Sequence, residues 1–111
     1  MKNVCLQIKK KEFEMIKSGT KKTEWRAPSK FNKARLFKPD PAYNDQLNGD
    51  PEITQITFIN GMKPSALRLI IEVAERIRMV KFQRDVDEPE NNFHALKDQF
   101  AIQIKLGKII G

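Results

Sequence analysis

Cysteine, histidine and tryptophan occur once each, as Cys5, His94 and Trp25. A single cysteine excludes a disulfide framework within the chain. One Cys with one His also excludes the ordinary Cys/His zinc sites, so no metal is expected. No apolar run approaches the about 20 residues that a membrane-spanning helix requires, and no membrane partner is expected. The N-terminus is basic and strand-like, without the apolar stretch of a signal peptide, which points to a cytoplasmic protein. The chain has no Walker loop, no dinucleotide fingerprint and no HExxH helix. That counts against kinases, common nucleoside triphosphatases and dinucleotide oxidoreductases, and no cofactor is implied. His94 has no Ser or Cys nucleophile motif to serve, so a Ser-His-Asp or Cys-His enzyme is not indicated. Cys5 reads as an ordinary reduced thiol.

What the chain has in excess is positive charge. Its 111 residues carry 21 Lys+Arg against 14 Asp+Glu, a net charge of +7. The length suits a single domain over 1–111 with an adequate core. Residues 1–38 hold 12 bases and 3 acids, whereas residues 39–61 hold no base and 4 acids. Residues 62–84 return to +4, residues 85–98 to −4, and residues 99–111 to +2. A basic N-terminal third alternating with acidic connectors predicts a positive face rather than a basic tail. Such a face attracts phosphates, although a merely solvated surface gives the same pattern.

Hydropathy periodicity divides the chain into short elements. Val4, Leu6 and Ile8 alternate with polar residues, the period-2 mark of a half-buried strand. Residues 10–18 predict a helix of about two turns, with Phe13 and Ile16 on one face and Gly19 as its stop. Thr23–Arg26 reads as a second strand, with Lys22, Glu24 and Arg26 on one face and Thr23 and Trp25 on the other. Residues 27–52 contain four prolines and no sustained periodicity, and read as a functional or partly disordered loop. A third strand around Ile56 and Phe58 ends at the turn signal Asn60-Gly61. Leu67 to Met79 fits both periods. The upstream turn favours one long antiparallel strand in which only Glu75 is out of place. Residues 83–90 read as an acidic loop, Asn92 as the cap of a short helix carrying Phe93 and Leu96, and Phe100 to Leu106 as a closing strand. The predicted fold is α+β, a curved sheet or small barrel of about five strands with two short helices.

The most informative segment is Gly19-Thr20-Lys21-Lys22-Thr23-Glu24-Trp25-Arg26. It places an ammonium, a carboxylate and a guanidinium near a helix–strand junction. Such a trio binds a polar ligand, exchanges a proton between Lys21 and Glu24, or acts as an ion-pair staple. Downstream, Lys30, Phe31, Lys33, Arg35, Phe37 and Lys38 interleave bases with aromatics. This run either tracks a phosphate backbone while an aromatic ring stacks on a base, or pins the loop to the domain. Trp25 is either a core residue or a stacking platform.

The pattern Gly-x-Lys-x-x-Glu-x-Arg, after a short helix and an apolar first strand, resembles the ASCH domain family. Leu6-Gln7-Ile8, Ile16-Lys17-Ser18-Gly19, Phe58-Ile59-Asn60-Gly61, Ile70-Ile71-Glu72-Val73 and the closing strand carry the resemblance, which is most specific over residues 4–26. It implies a PUA-like fold, a small β-barrel with a helix beside its cleft. It also implies binding of RNA or a nucleotide in that cleft, with Lys21, Lys22 and Arg26 taking phosphate or polar base edges and Glu24 accepting from a base amine. Lys30, Phe31 and Arg35 of the basic–aromatic run complete the expected nucleic-acid-binding set. Some small ASCH proteins resemble amidohydrolases that deacetylate N4-acetylcytidine. In that alternative Lys21 and Glu24 form the catalytic pair on an acylated nucleoside. Glu24 stands where that chemistry has a Thr, and among Asp85, Asp87, Glu88 and Glu90 no third member is singled out.

Overall fold

Alternation in the first strand decides which side of the chain is covered. In the computed structural model, which describes residues 2–37 and 47–111, β1 (Lys2–Gln7) buries Val4 and Leu6 and exposes the residues between them. It pairs in parallel with β3 (Ile53–Asn60), which is antiparallel to β4 (Leu67–Val73). The connection between β1 and β3 holds α1 (Lys10–Lys17), β2 (Thr23–Arg26) and α2 (Lys30–Leu36). The sheet path runs β1-β3-β4-β8-β2, where β8 is Phe100–Ile109, and it curls into a half-barrel. This is the α+β architecture expected from the sequence.

The strand expected over Leu67–Met79 is real but interrupted. Val73 pairs with Leu106, and Arg78 at the start of β5 (Arg78–Lys81) pairs with Gln103. Because Ile102 and Gln103 pair with β5 and also with β2, β5 lies on the β8 edge opposite β2. β4 and β5 therefore follow one another along β8. Residues 74–77 stand against only residues 104 and 105, a bulge that bends the strand. The out-of-register Glu75 marks that bulge, and it turns Ile77 fully into the core.

Two further expectations are corrected. The segment 27–52 is not a structureless loop throughout, because α2 occupies residues 30–36 and the Ser29 side chain caps it by accepting from Asn32 N–H at 3.1 Å. Of that segment, residues 38–46, including Lys38, Pro39 and Pro41, lie outside the described residues. Gly49 N–H bonds the Ile77 carbonyl at 2.5 Å and Asp50 N–H the Leu36 carbonyl at 2.9 Å, which ties residues 49 and 50 to the domain. Second, Asn92 does not cap the start of a helix carrying Phe93 and Leu96 but closes the short helix before it, its N–H bonding the Pro89 carbonyl at 3.1 Å. Phe93–Ala95 is strand β7, paired antiparallel with β6 (Val86–Glu88) across a short 3-10 helix at Pro89–Asn91. Asn92 takes a left-handed conformation (φ 51°), which the Asn side chain tolerates and which reverses the chain into β7. His94 is thus a strand residue, exposed rather than helical.

The main core fills the hollow of the sheet. Phe13 and Ile16 from α1 and Leu36 from α2 pack there against Leu6, Ile56, Phe58, Ile71, Ile102 and Ile104. An eight-residue helix such as α1 is marginal alone, so it is held by docking those two side chains. Ala101, on the opposite face of β8, joins a smaller cluster with Phe82, Ala95, Trp25 and Phe93 beneath the β6–β7 hairpin. β8 is consequently covered on both faces. No described helix is long and apolar enough to cross a membrane.

Candidate functional site

Gly19 sets up the site. Its φ of +81° is open to glycine at little cost, and its N–H bonds the Ile16 carbonyl at 3.1 Å to end α1. The chain then turns back, Lys21 N–H bonding the Met15 carbonyl at 3.0 Å, so that Lys21 enters the interior before β2 begins. Lys21 and Glu24 are each only 5% exposed. Charged side chains are rarely buried to that degree unless they are paired.

Here they are. Lys21 Nζ lies 3.2 Å from Glu24 Oε1, and Arg26 donates from Nε and Nη2 to Glu24 Oε2 at 2.8 and 2.7 Å. Lys21 also donates to the Asn91 carbonyl at 2.5 Å, and Arg26 Nη2 to the Gln7 carbonyl at 2.9 Å. The alternation in β2 puts Glu24 and Arg26 on one face, as expected. Because Arg26 reaches Gln7, it ties β1 to β2, the two ends of the curled sheet. The half-barrel is bridged there by a guanidinium.

These groups converge on a pocket of about 290 Å³, at the small end for ligand sites. It is lined by Gln7, Ile8, Lys9 and Glu12 from the end of β1 and the start of α1, by Lys21, Glu24, Trp25, Arg26 and Ala27 in and beside β2, and by Asn91, Asn92 and Phe93 from the turn into β7. Trp25 and Phe93 stack at 4.5 Å with planes 17° apart, and Phe82 packs on both rings. Trp25 therefore belongs to the smaller core and also lines the pocket.

The structure brings together Lys21, Glu24 and Arg26 and leaves four other expected residues outside the pocket lining. Lys22 and Lys30 are exposed. Phe31 is 66% exposed on α2, with the Arg35 guanidinium 5.3 Å from its ring centre. Arg35 Nη2 donates to the Cys5 carbonyl at 2.5 Å, two residues along β1 from the Gln7 carbonyl that Arg26 holds. Two arginines thus clasp the same strand, one from β2 and one from α2. Leu36 and Phe37, by contrast, pack on the core and pin the segment.

Asn91 is the residue that sequence reasoning missed. Its buried Oδ1 accepts from the Lys22 and Thr23 N–H groups, both at 3.1 Å, while Nδ2 donates to Glu88 Oε1 at 3.1 Å. Trp25 Nε1 reaches the same Glu88 oxygen at 3.4 Å. Among the four acids of that region, Glu88 is therefore the one tied to the site, through Asn91 and Trp25. No local pattern marks Asn91. The nearest signal is the Asn-Asn pair after Pro89, a turn composition. Among the described residues no three His, Cys, Asp or Glu side chains are grouped to hold a metal. Comparison with protein-family models, curated proteins and solved structures found no match.

Proposed function

We propose that this pocket recognises one nucleotide, free or within an RNA strand, in a PUA-like domain of the ASCH type. The observation that carries the reading is the convergence of Lys21, Glu24 and Arg26 on one small pocket with an aromatic wall. A guanidinium has five N–H donors, and three of those of Arg26 are directed at Glu24 and Gln7. The two on Nη1 remain for a phosphate or a base acceptor. Lys21 likewise uses two of its three donors within the site. The pocket is thus prearranged for an anionic or acceptor-bearing ligand, with Trp25 and Phe93 offering ring edges or faces to a base. Lys22, Lys30 and Arg35, with exposed Phe31 beside them, supply the surface along which flanking phosphates would run. The curled sheet with α1 beside its cleft supports the PUA-like assignment.

A second reading has one specific observation in its favour, the buried 3.2 Å contact between Lys21 Nζ and Glu24 Oε1 inside the pocket. Such a pair suits hydrolysis of an acylated nucleoside, with Lys21 as base or nucleophile and water as the second substrate. The grip of Arg26 on Glu24 Oε2 favours binding, because it holds the carboxylate as an acceptor rather than leaving it free to shuttle a proton.

Fluorescence anisotropy with labelled single-stranded RNA, repeated across salt concentrations, tests the first reading. If about four phosphates are neutralised, log affinity falls with log salt at a slope of roughly −3 to −4. No binding of RNA or mononucleotides in low salt overturns the reading. So does binding that is unchanged when Lys21→Ala and Arg26→Ala are combined. Incubation with acylated nucleosides decides the enzymatic alternative: turnover that vanishes in Lys21→Ala supports it, and a flat result across substrates removes it.

A further inference from the structure

Glu12 lies in the first turn of α1, whose Phe13 and Ile16 enter the core while Glu12 lines the pocket. One carboxylate oxygen accepts from Asn92 Nδ2. The other, Oε2, is buried and has no hydrogen-bond partner among the described residues. A buried acceptor without a donor is costly, and folded proteins rarely keep one without a reason. The nearby cations do not supply the donor. The contacts of Lys21 go to Glu24 and the Asn91 carbonyl, those of Arg26 to Glu24 and the Gln7 carbonyl, and Lys9 is exposed. The left-handed backbone at Asn92 presents its side-chain amide to Glu12, which fixes the carboxylate at the pocket wall.

We infer that Glu12 is a specificity residue that accepts a hydrogen bond from an N–H donor of the ligand. This inference rests on the nucleotide reading above and names what that site selects. A carboxylate only accepts, so an amino group on the base edge satisfies Oε2, whereas a carbonyl at the same position faces it lone pair to lone pair. The site therefore prefers amino-bearing bases over their oxo counterparts. A hydrogen bond to a charged acceptor supports a preference of about tenfold.

The test measures affinities of two matched pairs, AMP with IMP and CMP with UMP, for the full chain and for Glu12→Gln. In each exchange an amino group becomes an oxo group. The expected result is an amino member that binds about tenfold more tightly in every pair that binds. Glu12→Gln, whose carboxamide donates as well as accepts, brings that ratio close to one. Asn92→Gly keeps the left-handed backbone while removing the amide that aims the carboxylate, and lowers the ratio without touching Glu12. Equal affinities within the pairs on the unmodified chain, or a ratio that persists in both variants, overturn the assignment of Glu12 and leave the pocket as a nucleotide site. Absence of binding by all four nucleotides overturns the nucleotide reading itself, and the assignment with it.

Discussion

Replacing Asn91 by alanine tests whether the turn between β6 and β7 holds the pocket together. The side chain satisfies two backbone donors, the N–H groups of Lys22 and Thr23, and supplies one donor to Glu88. Thr23 is buried, so its N–H loses its partner with little access to water, at a cost of about 1–3 kcal/mol. Lys22 N–H is less enclosed and recovers part of its loss from solvent. Glu88 keeps only its longer contact with Trp25 Nε1. Together these give about 2–4 kcal/mol, allowing for the failure of neighbouring terms to add. At about 4 °C per kcal/mol for a domain of this size, thermal unfolding followed by circular dichroism shows a fall in Tm of roughly 8–16 °C. Urea unfolding gives the same loss with an unchanged m-value. A loss below about 0.5 kcal/mol, the ordinary range of surface substitutions, refutes the reasoning: the two N–H groups would then have other partners and Asn91 would be no hub.

Gly49→Ala destabilises by about 1–3 kcal/mol, because a Cβ there stands 2.8 Å from Ile77 Cβ and 2.9 Å from the Leu36 carbonyl oxygen, and a lowered urea midpoint reads the effect. Trp25 is the sole tryptophan and lines the pocket, so a ligand that enters changes its emission, and a binding curve by fluorescence coincides with one by calorimetry.

The parts of this structure that were legible in the sequence are those whose burial follows one local period. β1 and α1 each bury one face against the main core, so Val4, Leu6, Phe13 and Ile16 stand out by spacing. The β4–β5 strand kept its alternation on both sides of Glu75 because both halves run along β8, and the bulge absorbed the mismatch. Helix α2 escaped notice because Leu36 alone is buried on it; with one apolar anchor no periodicity develops, and only the Ser29 cap after Pro28 signalled a start. The β6–β7 hairpin was misread because three-residue strands are too short to show a period, while Asn92 suits a helix cap and a left-handed turn equally.

The site divides in the same way. Lys21, Glu24 and Arg26 sit within six residues, and strand alternation with a glycine-terminated helix places them together. Glu12, Asn91, Asn92 and Phe93 join them only through tertiary packing. Asn91 lies 70 residues from the Lys21 it supports, and nothing local encodes that meeting. Lys30, Phe31 and Arg35 interleave in the sequence, and the helix that carries them leaves all three outside the pocket lining.

The central claim is that the buried charges form a site and not a staple, and the double variant Lys21→Met/Glu24→Leu separates these roles. Replacing both partners of a buried ion pair by apolar groups of similar size leaves stability near its original value or raises it, whereas removing one partner costs about 3–5 kcal/mol. Arg26 keeps the Gln7 carbonyl and partial access to water, its side chain being 20% exposed. One titration, nucleotide or RNA affinity of the folded double variant against the unmodified chain at low salt, then decides. The account predicts a stably folded protein whose binding falls by at least about a hundredfold, the loss of two charge-assisted contacts of about 1.5 kcal/mol each. A folded double variant that binds as tightly as the unmodified chain contradicts it.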